Sequence, residues 1–113
     1  MASQNVVELN EVDFESVVLR APGRVLVDFT GNWCPPCRAL SPILERVARK
    51  MEGQVRVYSV DADACPLLTS QFKIRGLPTL VVFANGREVA RRLGMTSEEG
   101  VRQLVDAASV PAQ

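Results

Sequence analysis

The sequence predicts an α/β fold: a central mixed β-sheet in the order βαβαβαββα, with helices on both faces. Three observations carry this. Runs of strand formers alternate with segments whose apolar residues recur every three or four positions, the sign of helices between strands. The run "RVLVDFT" is apolar on both faces except at Asp28 and Thr30, as a buried parallel strand reads. The last two strand-like runs meet at Asn85-Gly86, a tight antiparallel turn. Strands separated by helices need parallel crossovers, so the closing hairpin makes the sheet mixed.

Element by element, "VVEL" reads as a first strand, and Asn10 caps a helix carrying Phe14, Val17 and Val18 on one side. "APG" at 21 to 23 ends it, and "RVLVDFT" follows as the central strand. From Cys34 to about Lys50, Leu40, Ile43, Leu44, Val47 and Met51 form a helical stripe, with Pro42 expected to kink it. "QVRVYSV" is a third strand, and Cys65-Pro66 opens a short helix through Phe72. The hairpin "TLVVFANGREVARRL" comes next. Thr96 and Glu99 read as a capping box for a last helix with Val101, Leu104, Val105 and Ala108 as its stripe.

The 113 residues, 47% of them hydrophobic, suffice for one domain spanning 1–113. Thirteen basic and thirteen acidic side chains cancel, which argues against nucleic acid as a partner. No basic segment leads into an apolar one near the start, and no apolar run approaches the roughly 18 residues of a membrane span, so the expectation is a cytoplasmic protein with no membrane partner. In a reducing compartment a close cysteine pair is more often catalytic or metal-binding than a structural staple.

That pair is "WCPPC", Trp33 to Cys37. Cysteines three apart at a helix start have Cβ atoms about 5 to 6 Å apart, so a small tightening closes a disulfide, which needs roughly 3.5 to 4.5 Å. Such a small ring suits a redox pair better than a clamp on a long loop. Cys34 would face the unpaired N–H groups and positive dipole end of the helix, which favours its thiolate and makes it the nucleophile. Cys37, one turn in, would resolve the mixed disulfide. Pro35 and Pro36 fit the first turn, where no helical N–H is lost. The alternatives are an inert buried pair or half of a metal site. With no His and only three Cys, one chain falls short of the four ligands zinc takes, although two chains could share a cluster through four thiolates.

Together "VLVDFTGNWCPPC", "IRGLPT", the Asn85-Gly86 hairpin and Gly94 resemble the thioredoxin family in order and spacing over about residues 5 to 108. Thioredoxin is itself the usual illustration of a CxxC redox motif. The resemblance implies the thioredoxin fold and a protein disulfide reductase working by dithiol/disulfide exchange at Cys34 and Cys37. It implies that Asp28 lies buried behind Cys37 and transfers protons; a carboxylate in an apolar strand should have a raised pKa. It implies a cis Leu77–Pro78 peptide that turns the Leu77 backbone toward an extended substrate. Trp33, Pro35, Leu77, Pro78, Gly94 and Met95 would then rim an exposed Cys34, with Pro36 also in the substrate-binding loop. Trp33 could instead be core packing, Asp28 a satisfied polar residue and Pro78 an ordinary trans proline.

The chain departs from the family's frequent pattern at Pro35, where glycine is common, at Ser59, where many members carry lysine near the buried carboxylate, and at Thr30, often aromatic. Without that lysine Asp28 should titrate higher than in typical members. The resemblance further implies disulfide-containing protein substrates and a monomer with no bound cofactor or metal. Its electrons would come from NADPH through a flavoprotein thioredoxin reductase. A thiol oxidase or isomerase of the same fold, a noncatalytic binding module and a cluster-bridging dimer are the rival classes. Cys65 reads as a tolerated small residue or a regulatory thiol, Asp61 and Asp63 as solvated. Lys73, Arg75, Arg87, Arg91 and Arg92 are a basic surface able to steer acidic partners if they flank the rim.

Overall fold

A computed structural model describes residues 5–107. The expected order holds: β1 Val6–Leu9, α1 Glu11–Phe14, β2 Arg24–Thr30, α2 Pro35–Lys50, β3 Val55–Asp61, α3 Pro66–Gln71, β4 Thr79–Ala84, β5 Arg87–Leu93 and α4 Glu98–Ala107. After Phe14, α1 widens into a π-helical turn over Glu15–Leu19 that keeps Val18 buried. Ala108, assigned from sequence to the stripe of α4, lies outside the described residues.

The sheet runs β1-β3-β2-β4-β5, with β1 and β2 parallel to β3 and β4 antiparallel to both β2 and β5. β2 is therefore the central strand. Successive side chains of a strand point to opposite faces, and β2 sorts accordingly. Val25, Val27 and Phe29 pack with Phe14, Val18, Leu68, Val81 and Phe83, under α1 and α3. Leu26 packs with Leu40, Leu44, Val47, Leu80, Val101 and Val105, under α2 and α4. Asp28 shares the parity of Leu26, so the fold aims a carboxyl at α2. On the other face Phe14, Phe29, Phe72 and Phe83 meet with ring centroids 5.4 to 6.2 Å apart.

Asn10 caps α1 as expected, its side chain accepting from the Asp13 N–H at 2.9 Å. Asn85 and Gly86 both have positive φ, 52° and 85°, the backbone of a hairpin turn that follows the strand twist. The hairpin is tied to the chain before β2: Gly23 N donates to Asn85 Oδ1 at 2.8 Å and Asn85 N to the Gly23 carbonyl at 2.9 Å.

α2 runs as one 16-residue helix with Pro42 inside it, over the span the sequence predicts. The stripe of Leu40, Leu44 and Val47 anchored in the core outweighs the one backbone bond that proline removes. The cap of α4 is Ser97, not Thr96: Ser97 Oγ accepts from Gly100 N at 3.0 Å. Thr96 instead folds over Gly100, where a Cβ would collide with its hydroxyl, and Glu99 accepts from Gln103.

Candidate functional site

The site forms where β2 ends and α2 begins. Gly31 turns the chain, its carbonyl accepting from Cys34 N at 3.2 Å. A Cβ at Gly31 would press on the Trp33 ring and on Leu77, at 3.0 to 3.2 Å, so glycine lets these two side chains close over the turn. Cys34 is the N-cap of α2, with extended backbone at φ −99°, ψ 106°. Its Sγ accepts from the Cys37 backbone N–H at 3.3 Å. Pro35 and Pro36 occupy the first helical turn with their side chains exposed, and Cys37 follows, buried. The two cysteines are joined as a disulfide, their Cα atoms 5.2 Å apart, inside the usual range for such a bond.

Cys34 is not exposed, contrary to expectation: only 3% of it is accessible, against 2% for Cys37. Bonding to Cys37 turns the sulfur in over the helix start, and the Leu77 carbonyl oxygen lies 3.8 Å from it. Trp33, by contrast, is 64% exposed, so core packing is excluded for it. Its indole Nε1 donates to Asp63 Oδ2 at 2.6 Å. Asp61 and Asp63 are accordingly not just solvated, since Asp61 Oδ1 accepts from the Asp63 N–H at 2.9 Å.

The opposite wall is the segment before β4. Leu77–Pro78 is a cis peptide, and Pro78 is buried while Leu77 is half-buried. Gly94 N donates to the Pro78 carbonyl at 2.8 Å, which sets the end of β5 and Met95, 42% exposed, beside the proline. Gly76 is covered by Leu93. Leu77 thus lies beside the disulfide with Trp33 over the same Gly31 turn, and Gly94 is tied to Pro78. Sequence reasoning missed Gly31, Gly76, Leu93 and Asp63. The two glycines carried a signal, as residues that let side chains close over backbone; nothing in sequence marks Asp63 as a partner for an indole.

Beneath the disulfide, Asp28 is 3% exposed and its Oδ1 has no hydrogen-bond partner, so it is not a satisfied polar residue. Burial pushes its pKa up from 3.8 to about 7. Ser59 sits opposite it in the β2–β3 register, where a hydroxyl offers no charge to counter that shift. Asp28, Ser59, Ser41 and Cys37 line one cavity of about 440 Å³. Cys65 is a different kind of cysteine: it is buried, and burial together with Glu11, Asp61 and Glu8 pushes its thiol up, which disfavours the reactive thiolate. The tolerated-residue reading fits it.

The Thioredoxin family model matches residues 5–107. The chain belongs to the thioredoxin family. It is 34% identical over 105 residues to a thioredoxin of Pseudomonas aeruginosa, spanning 93% of this chain and 97% of that one. It is 33% identical to thioredoxin C-2 of Corynebacterium nephridii, over 92% of this chain and 96% of the relative. To the Haemophilus influenzae thioredoxin it is 36% identical over 79% of this chain and 83% of the relative. As a thioredoxin-family protein with its cysteine pair at disulfide distance, it is a thiol–disulfide reductase, an oxidoreductase whose redox-active pair is Cys34 and Cys37. Among the described residues no group of three or more His, Cys, Asp or Glu could hold a metal, and no helix is long and apolar enough to cross a membrane.

Proposed function

We propose that the reduced protein acts on disulfides of other proteins, with Cys34 as nucleophile, Cys37 as resolving thiol and Asp28 as the proton-transfer group. The Cys34 thiolate attacks one sulfur of the target disulfide; a Cys34–target bond forms and the second target sulfur leaves as a thiolate that takes up a proton. Cys37 then gives its proton to ionised Asp28 and attacks the Cys34 sulfur, so the target's first sulfur leaves reduced and the Cys34–Cys37 bond forms. Two electrons pass to the target.

One observation carries the assignment of the nucleophile: the sulfur at the helix N-cap accepts the Cys37 N–H at 3.3 Å. A donor aimed at a sulfur favours negative charge on it. The Leu77 carbonyl, 3.8 Å from the Cys34 sulfur, and the exposed Trp33 ring support the docking of an extended substrate strand against Leu77, with Pro35, Pro36, Pro78, Gly94 and Met95 as the other substrate-binding residues. Because Cys34 is only 3% exposed in the disulfide form, a partner reaches it by direct contact at this rim. Asp28 near neutral suits proton exchange with Cys37 across their shared cavity.

The chain is read as one domain, monomeric and cytoplasmic, reloaded with electrons from NADPH through a flavoprotein thioredoxin reductase and holding no cofactor of its own. Insulin reduction coupled to NADPH and a thioredoxin reductase tests chemistry and electron supply together. NADPH oxidation that depends on this protein supports both. Activity with dithiothreitol but not with the reductase would overturn the electron route alone, and no activity with either would overturn the exchange chemistry.

A further inference from the structure

The cavity shared by Asp28 and Cys37 has a charged floor that the redox reading leaves unused. In the parallel ladders Glu8 of β1 and Asp28 of β2 both stand opposite Ser59 of β3, so the three form one row across three strands. The row two residues earlier is Val6, Val57 and Leu26, and all three pack in the core under α2. Residues two apart on a strand share a face, so Glu8, Ser59 and Asp28 are directed to the α2 side as well. α2 makes the same change from apolar to polar: Leu44 belongs to that core, and Ser41, about one turn earlier, lines the cavity with Cys37. The row grades from water to core, with Glu8 exposed, Ser59 half-buried and Asp28 3% exposed.

Charge in this cavity of about 440 Å³ is one-sided, with Glu8, Asp28 and Asp61 lining it against a single cation, Arg38. Arg38 donates to the Asn32 carbonyl at 2.9 Å, and neither it nor Glu8 enters an ion pair among the described residues. Asp61 is held by the backbone N–H groups of Asp63 and Ala64, at 2.9 and 3.4 Å. Asp28 Oδ1 is buried with no hydrogen-bond partner. Adjacent strands lie about 4.8 Å apart, which separates Glu8 from Asp28 by about 10 Å of sheet. One metal ion, with oxygen ligands at about 2.0 to 2.6 Å, is too small to join them. Two cationic groups on a short linker fit: a four-carbon diamine, with about 6 Å between its nitrogens and a hydrogen bond of about 2.8 Å at each end, bridges oxygens roughly 11 to 12 Å apart.

We propose that this cavity binds a linear aliphatic diamine, one ammonium paired with Asp28, the other with Glu8, and the carbon chain lying across Ser59. As the inner ammonium docks, Asp28 gives its proton to water, so protons compete with the ligand. Leu80 on β4 and Ser59 on β3 face Asp28 without charge, and Cys37 is bonded in the oxidised protein. The Glu8 and Asp61 carboxylates and the Arg38 guanidinium are the charges around it. Because Asp28 holds its proton to about pH 7, affinity should fall about 10-fold between pH 8 and pH 6.

Oxidised protein titrated with 1,4-diaminobutane and, separately, with butylamine at matched ionic strength tests this, followed by NMR of the Asp28 and Glu8 carboxyl carbons. No disulfide target is present, so the result stands apart from the redox reading, which insulin reduction tests by itself. The diamine should saturate, bind about 10-fold or more tightly than butylamine at pH 8, and lower the Asp28 pKa by about one unit or more. Glu8→Gln should bring the diamine to within about 2-fold of butylamine, and Asp28→Asn should remove the pH dependence. Glu99→Gln, an exposed change on α4, should leave the affinity unaltered. Equal binding of diamine and butylamine, shifts that rise without saturating, or a loss in Glu99→Gln as large as in Glu8→Gln would overturn the proposal.

Discussion

Asp28 stands directly opposite Ser59 in the parallel β2–β3 ladder, and its buried Oδ1 has no hydrogen-bond partner. Folding therefore strips water from a carboxyl without giving it a counter-charge, and its proton is retained to about pH 7.

A pH-dependent instability follows. The unfolded chain ionises this group near 3.8 and the folded one near 7, so between those values the folded state binds more protons and stability falls as pH rises. Below 3.8 the favourable contribution is complete, and above 7 the loss is complete, at up to about 4 kcal/mol. Asp28→Asn should therefore stabilise the oxidised protein at pH 8 and have little effect at pH 3. Urea unfolding of both proteins across that range checks it; equal stabilities at pH 8 would contradict the buried-carboxyl account.

Placing a cation across the ladder should reverse the shift. Ser59 is half-buried and lines the same cavity of about 440 Å³ as Asp28, so Ser59→Lys has room to set an ammonium near the carboxyl. Carboxyl NMR titration should show the Asp28 pKa falling by about one unit or more. An unchanged titration would mean the ammonium reaches solvent instead.

The two cysteines should behave asymmetrically. Cys37→Ser should accumulate a Cys34–target mixed disulfide visible by mass spectrometry, while Cys34→Ser should form none. In the reduced protein, brief iodoacetamide treatment should label Cys34 before Cys37 and leave Cys65 unmodified. Preferential labelling of Cys37 would exchange the two assigned roles.

Gly86 and Gly53 form a matched pair for stability. Both have φ near +85°, but a Cβ at Gly86 would strike the Leu19 carbonyl, whereas nothing lies within 4 Å of one at Gly53. Gly53→Ala should cost about 1 to 2 kcal/mol from backbone conformation alone, and Gly86→Ala about 3 kcal/mol or more. Chemical denaturation of the two variants measures the difference, and equal costs would remove the Leu19 contact from the explanation.

Much of this was legible in the residue order, because local physics decides it. The runs of strand formers, the Asn85-Gly86 turn and the Asn10 cap each specify their element through contacts within a few residues. So does the Cys34-Pro-Pro-Cys37 helix start, where spacing alone brings two sulfurs together. An apolar strand around Asp28 was enough to foretell a raised pKa, since desolvation depends on the burial of that strand.

What only the tertiary structure decided are relations between segments distant in the chain. The near-complete burial of Cys34 depends on the Leu77 carbonyl 43 positions away, and the pinning of Trp33 on Asp63, 30 positions on. A linear pattern encodes which face a residue takes, but the neighbour it meets there is chosen by the sheet order.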